Sequence, residues 1–142
     1  IWIVPKVTPA AGVCSRPVDY MNIYPTLIDL CELPTPENPQ GQTLEGISMR
    51  PLLANPDARW KRPALTTHGR NNHALRSQHY RYIRYADGGE ELYDHRADPM
   101  EYNNLAENSK MADVKNQMAA WLPKTNVPEA PRDKTLSKSK KK

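Results

Sequence analysis

Between Val18 and Cys31 the apolar residues Tyr20, Met21, Ile23, Tyr24, Leu27, Ile28, Leu30 and Cys31 recur at spacings of three and four. Such offsets place them on one wide stripe of a helix. Asp19 stands where a capping carboxylate would, and Pro25 fits an early turn, because it has no N–H to donate to the carbonyl four residues back. Leu33-Pro34-Thr35-Pro36 stops the element. Ahead of it, the alternating apolar run Ile1–Val4 followed by Pro5 and Pro9 predicts a short strand leading into a loop. Residues 34–63 are rich in Pro, Gly and Asn and carry one apolar patch, Met49 to Leu53. They predict a long surface loop with a helical turn.

From residue 64 to 94 the pattern changes to that of an antiparallel sheet. Ala64–Thr67 and His73–Arg76 are two candidate strands joined by the turn residues Gly69-Arg70-Asn71-Asn72. A third strand, Gln78 to Tyr85, is dense in Tyr and Ile, and a fourth spans Glu90 to Tyr93. Asp87-Gly88 between them is a hairpin signal. On the third strand Tyr80, Tyr82 and Arg84 share one face and Arg81, Ile83 and Tyr85 the other. Neither face is cleanly apolar, so one needs cover and the other leaves Arg heads in solvent.

Asp98-Pro99-Met100-Glu101 begins a turn, with Asp98 able to cap a short helix. A last helix is predicted from about Ser109 to Leu122, with Met111, Val114, Met118, Trp121 and Leu122 on one stripe and Pro123 as its stop. No internal repeat is visible. The order helix, long loop, small antiparallel sheet, helix, loose tail defines an α+β unit.

Composition changes this picture in three places. The chain of 142 residues contains 14 prolines, which argues against long uninterrupted helices. It begins on Ile1 rather than Met, as a cut or processed front would, and shows neither a signal peptide nor a run long enough to span a membrane. The net charge of +4 belongs to the end of the chain. Residues 124–142 carry seven basic and two acidic side chains, whereas the other 123 carry 13 and 14. Rich in Lys, Pro and Ser, the tail 124–142 is expected to be disordered and to bind polyanions only weakly. Cys14 and Cys31 match no zinc spacing, and one disulfide or two thiols remain equally open.

Candidate chemistry concentrates in Thr67-His68-Gly69-Arg70-Asn71-Asn72-His73 and Arg76. Two His and two Arg near one strand turn can line an anion pocket, because Arg binds oxyanions through a planar fork. The same residues also describe a polar hairpin whose His side chains satisfy backbone groups. Cys14-Ser15-Arg16-Pro17 has no His nearby to act as base. Gly-x-Gly-x-x-Gly, P-loop and His-Glu-x-x-His motifs are absent, and Asp87-Gly88-Gly89 is too poor in acids for a calcium loop.

Four segments in order resemble the C-terminal part of the type I sulfatases. Arg16 to Pro34 is similar to the family's Asp-Ile-Tyr-Pro-Thr-Leu helix and Gly-Leu-Pro stop, with Asn22 for Asp and Glu32 for Gly. Gly46-Ile47-Ser48-Met49-Arg50-Pro51-Leu52-Leu53 looks like Gly-x-Ser-Leu-x-Pro-Leu-Leu. Pro63 to Arg76 continues into the tyrosine-rich strand. Glu91-Leu92-Tyr93-Asp94, Asp98-Pro99-Met100-Glu101 and Asn104-Leu105-Ala106 are similar to the family's closing signature. The branch most resembled is that of the bacterial iduronate-2-sulfatase-like enzymes, then the choline-sulfatase-like ones.

The resemblance implies a division of the chain. Residues 1–63 would be a remnant of a large α/β domain of alkaline-phosphatase-like fold, and 64–123 a C-terminal antiparallel-sheet subdomain packed by a helix. The family hydrolyses sulfate esters with a formylglycine made from a Cys/Ser-x-Pro-x-Arg motif and a Ca²⁺ ion held by Asp and Asn. Cys14-Ser15-Arg16-Pro17 is not that motif, since Pro follows Arg, and the family's calcium and catalytic residues lie upstream. No catalytic or metal residue is therefore assigned in this chain. What carries over is a substrate-facing rim, with His68, Asn72, His73 and Arg76 as its candidates. The expectation is a sulfatase portion inactive alone, partnered by an upstream domain, acting on a sulfated carbohydrate or other sulfate ester, and periplasmic or secreted. The alternative is a small polyanion-binding protein using the tail with the Tyr/Arg ribbon; the −1 balance of residues 1–123 argues against a specific nucleic-acid surface.

Overall fold

In the computed structural model of the chain, residues 1–37, 41 and 43–128 are described. A 3-10 turn, Tyr20–Asn22, leads into helix α1, Ile23–Leu30, and the loop after it carries the short helix α2, Arg50–Ala54. Four strands follow: β1 Ala64–Thr67, β2 His73–Arg76, β3 Tyr80–Arg84 and β4 Glu90–Asp94. They form one antiparallel meander in the order β1-β2-β3-β4. A 3-10 turn at Ser109–Met111 then opens helix α3, Ala112–Ala119. Of the Lys-rich stretch 124–142, residues 129–142, expected to be disordered, lie outside the described residues.

The register explains how a mixed strand such as β3 finds a core. Leu65, Leu75, Tyr82 and Leu92 stand opposite one another across all four strands. Side chains alternate along a strand, so one row puts all four on the same face. Leu75, Tyr82, Leu92, Ala106 and Met118 form the buried cluster, with Met111, Val114 and Leu122 packed against it. Each fully buried Leu contributes roughly 1.5–3 kcal/mol. The expectation that β3 would leave Arg heads in solvent is met only partly: Arg84 pairs with Glu90 at 2.8 Å and Arg81 with Glu101 at 2.9 Å.

Helix α1 buries a different side from the one its apolar spacing suggests. Asn22 and Thr26 are its most deeply buried residues. Thr26 Oγ1 donates to Asn22 O at 2.6 Å and accepts from Met49 N–H at 2.8 Å. Asn22 Nδ2 donates to Ile47 O at 2.9 Å, and Asp29 accepts from Ser48 at 2.5 Å and from Arg50 at 3.0 Å. Residues 22, 26 and 29 thus form a polar stripe that holds segment 46–50 against the helix. Gly46 is required there, because a Cβ would lie 1.8 Å from Met21 O. Of the predicted apolar stripe only Ile28 is buried; Tyr20, Met21, Tyr24, Leu27 and Cys31 are exposed.

Several local expectations give way to tertiary contacts. Ile1–Val4 is not a strand, because among the described residues nothing pairs with it; Val4 instead starts a turn closed by Thr8. The Asp19 carboxylate does not cap α1: its Oδ2 accepts from Leu65 N–H at 3.1 Å and so covers the outer edge of β1. Asp98 caps no helix; its Oδ2 accepts from Asn103 N–H at 2.8 Å in a turn. The last helix ends at Ala119 rather than Leu122, which swings Trp121 off the stripe to 46% exposure. Cys14 and Cys31 are both exposed, unbridged thiols.

Candidate functional site

The turn between β1 and β2 is shaped by two residues of positive φ, Gly69 at 69° and Asn71 at 63°. Asn tolerates that region because its short side chain bonds locally. His68 N–H donates to Asn72 O at 3.0 Å and closes the loop. The Asn72 side chain then ties two turns together: Nδ2 donates to Arg70 O at 3.2 Å, and Oδ1 accepts from Ala86 N–H in the β3–β4 turn at 3.0 Å. The His68 side chain is exposed at the rim of this end of the sheet.

His73 and Arg76 stand on β2 with an odd separation, so they point to opposite faces. His73 is buried on the α3 side, with Nδ1 2.9 Å from Thr67 Oγ1 and Nε2 2.7 Å from Asn126 Oδ1. With an amide oxygen beside Nε2, the ring donates there and accepts the Thr67 hydroxyl proton at Nδ1. Both nitrogens are engaged in fastening the segment after α3 to the sheet. Asn126 carried no local sign of this role, because the contact spans 53 residues.

Arg76 lies on the other face, opposite Arg81 in register. Its Nη1 is buried without a partner among the described residues. Burial lowers its pKa, the Glu101 charge opposes that shift, and Arg81 adds to it. Glu101 accepts from Arg81 at 2.9 Å and from His95 at 2.5 Å. Tyr93, next in the same row, is pushed up to about 12 by burial and by its hydrogen bond to Glu91. The structure thus brings His68 and Asn72 together on one rim, turns His73 inward, and sets Arg76 on the reverse face.

On the α3 face a second charged cluster locks helix to sheet. Glu90 accepts from Tyr82 Oη at 2.5 Å, from Arg84 Nη2 at 2.8 Å and from Lys115 Nζ at 2.9 Å. These donors, Tyr82 foremost and then Lys115, hold the Glu90 carboxyl at about 2. Burial and the adjacent Glu90 raise the Tyr82 hydroxyl.

Neither chemical group expected of the intact family fits the residues present. Among the described residues no three His, Cys, Asp or Glu side chains converge to hold a metal ion. Cys14 sits in a loop whose Arg16 is committed elsewhere, donating to Gln78 Oε1 and to Asp57 O. The arrangement can position and bind; it holds no nucleophile with a base.

The comparisons with known proteins agree with this architecture. The family described as N-sulphoglucosamine sulphohydrolase, C-terminal, matches residues 2–127. A sulfatase of Formosa agariphila is 40% identical over 111 residues, covering 78% of this chain and 21% of that protein. A delta 4,5-hexuronate-2-O-sulfatase of Bacteroides thetaiotaomicron is 31% identical over 125 residues, covering 75% of this chain and 24% of that protein. The crystal structure of Ps i-CgsB in complex with k-i-k-neocarrahexaose superposes with a TM-score of 0.63 at 22% identity, covering 94% of this chain and 30% of that one. The chain therefore belongs to the sulfatases of alkaline-phosphatase-like fold, as their N-sulphoglucosamine sulphohydrolase C-terminal region. It spans 21–24% of the length of these two curated relatives.

Proposed function

We propose that the chain is the C-terminal portion of a sulfuric ester hydrolase, inactive alone, which docks on an upstream catalytic domain and completes the rim of its substrate pocket. The observation that carries this reading is the apolar stripe of α1. Tyr20, Tyr24 and Leu27 are 90%, 52% and 45% exposed, while the polar stripe of the same helix is buried. Contiguous apolar exposure of this kind marks a missing partner surface. Arg16 Nε, Asp19 Oδ1 and Arg76 Nη1, buried and unpaired among the described residues, are consistent with groups that a partner satisfies.

In this reading the rim residues divide by role. His68 and the Arg76 guanidinium meet the sulfated carbohydrate, whereas Asn72 and His73 position the two turns and the chain end behind them. The upstream domain would supply the formylglycine and Ca²⁺, and the intact protein would be secreted or periplasmic like others of its family. The polyanion-binding alternative is not favoured, because the ribbon it needs is occupied: Tyr82 is fully buried, and Arg81 and Arg84 are ion-paired. Among the described residues no helix is long and apolar enough to cross a membrane.

The test is reconstitution. The chain alone should not cleave a chromogenic sulfate ester; co-expressed with its upstream sequence it should co-purify and gain activity. Leu27→Asp should abolish co-purification while leaving the circular dichroism of the chain unchanged. Hydrolysis by the chain alone, or assembly indifferent to Leu27→Asp, would overturn the proposal.

A further inference from the structure

A groove of about 420 Å³ lies where the loop before β1 meets the end of α3, and its walls include Trp60, Trp121, Arg59, Lys61, Arg62 and Ser48. No carboxylate lines it. Trp60 is held in place by its indole N–H, which donates to Pro17 O at 3.1 Å. Trp121 is there because α3 ends two residues before it. Among the described residues none of the three cations takes part in an ion pair.

We infer that this groove binds a segment of anionic oligosaccharide, with the indoles as stacking platforms for sugar rings and Arg59, Lys61 and Arg62 as partners for sulfate or carboxylate groups. The argument needs only the groove and is independent of the rim proposed above. Aromatic rings offer broad contact area at low entropic cost, and Arg forks suit oxyanions. A protein partner fits less well. Interface cores are depleted in Lys, and covering Arg59 and Lys61 would strip their water without returning a countercharge. A sulfated sugar brings its own. Single-stranded nucleic acid would also suit basic groups interleaved with aromatics, but it needs a long basic track. Residues 1–123 carry a net −1, so the positive charge here is local.

The experiment is fluorescence titration of the full-length protein at 0.15 M salt with a heparin-derived tetrasaccharide, cellotetraose and a dT oligonucleotide. The heparin fragment should quench tryptophan emission and the other two should not. Trp121→Ala and the exposed-site reversal Lys61→Glu should each weaken binding roughly tenfold, the loss expected of one aromatic or charged contact. Deleting residues 129–142, the nonspecific Lys run, should leave binding intact. Four results would overturn the inference: loss of binding only on tail deletion, affinity unchanged by both substitutions, equal binding of the oligonucleotide, or tryptophans inaccessible to acrylamide in the full-length protein.

Discussion

Replacing Glu90 with Gln should expose how the sheet and α3 are held together. The carboxylate receives three donors, from Tyr82, Arg84 and Lys115, at 2.5, 2.8 and 2.9 Å. They bring its pKa from 4.5 to about 2. At ~1.36 kcal/mol per unit, that depression is worth roughly 3 kcal/mol of folding free energy at neutral pH. The Arg84 side chain is 41% exposed, so solvent screens its share, and about 2 kcal/mol is the expected cost of Glu90→Gln. The sign follows from linkage. The folded-state pKa lies below the unfolded one, so the contribution is complete above about pH 4.5 and vanishes as pH falls towards 2. Urea unfolding followed by circular dichroism at pH 7, 5, 4 and 3 measures it directly. The gap between wild type and variant should shrink steadily with acidity. A loss below about 0.5 kcal/mol at pH 7, or a gap that ignores pH, would refute the assignment of Glu90 as the charged hub.

Three further substitutions probe the N-terminal half. Gly46→Ala drives a Cβ to 1.8 Å from Met21 O; it should destabilise by at least about 2 kcal/mol, read as faster proteolysis of segment 46–50. Thr26→Val keeps the volume but strands Met49 N–H, which Thr26 now accepts at 2.8 Å; urea unfolding should show a loss of about 1–3 kcal/mol. Glu32 sits at φ 53° after α1, with Leu33 N–H reaching Ile28 O at 3.0 Å in the manner of a glycine-ended helix. Glu32→Gly should therefore raise stability, by about 1 kcal/mol in the same assay, and no change or a loss would count against strain at this position.

Elements whose signal is local were legible in the residues. Ala64–Thr67 and His73–Arg76 fold as the strands their sequence suggests, and Asp87-Gly88 does turn the chain between β3 and β4. The start of the last helix at Ser109 was also readable. The likeness of Arg16–Pro34, Gly46–Leu53 and Glu91–Ala106 to sulfatase segments was enough to place the chain in its family, which the match over residues 2–127 bears out. The candidate rim was readable only as a list of residue types. His73 and Arg76 are close in sequence, yet their separation of three on a strand sends them to opposite faces, and Asn126 enters from the far end of the chain.

What the sequence determined by itself, then, was where the chain turns, which stretches extend, and which family they serve. Such properties depend on backbone preference and side-chain periodicity within a few residues. Only tertiary structure decided which surfaces are buried. The apolar spacing of α1 promised a core-facing stripe, but the hydrogen bonds of Asn22, Thr26 and Asp29 to segment 46–50 turned the polar side inward and left Tyr20, Tyr24 and Leu27 outside. Asp19 was diverted from its helix to the edge of β1, and Trp121 left its stripe to line a groove with Trp60. Burial is a property of what packs against a residue, and desolvation is settled by partners distant in sequence, which no local pattern contains.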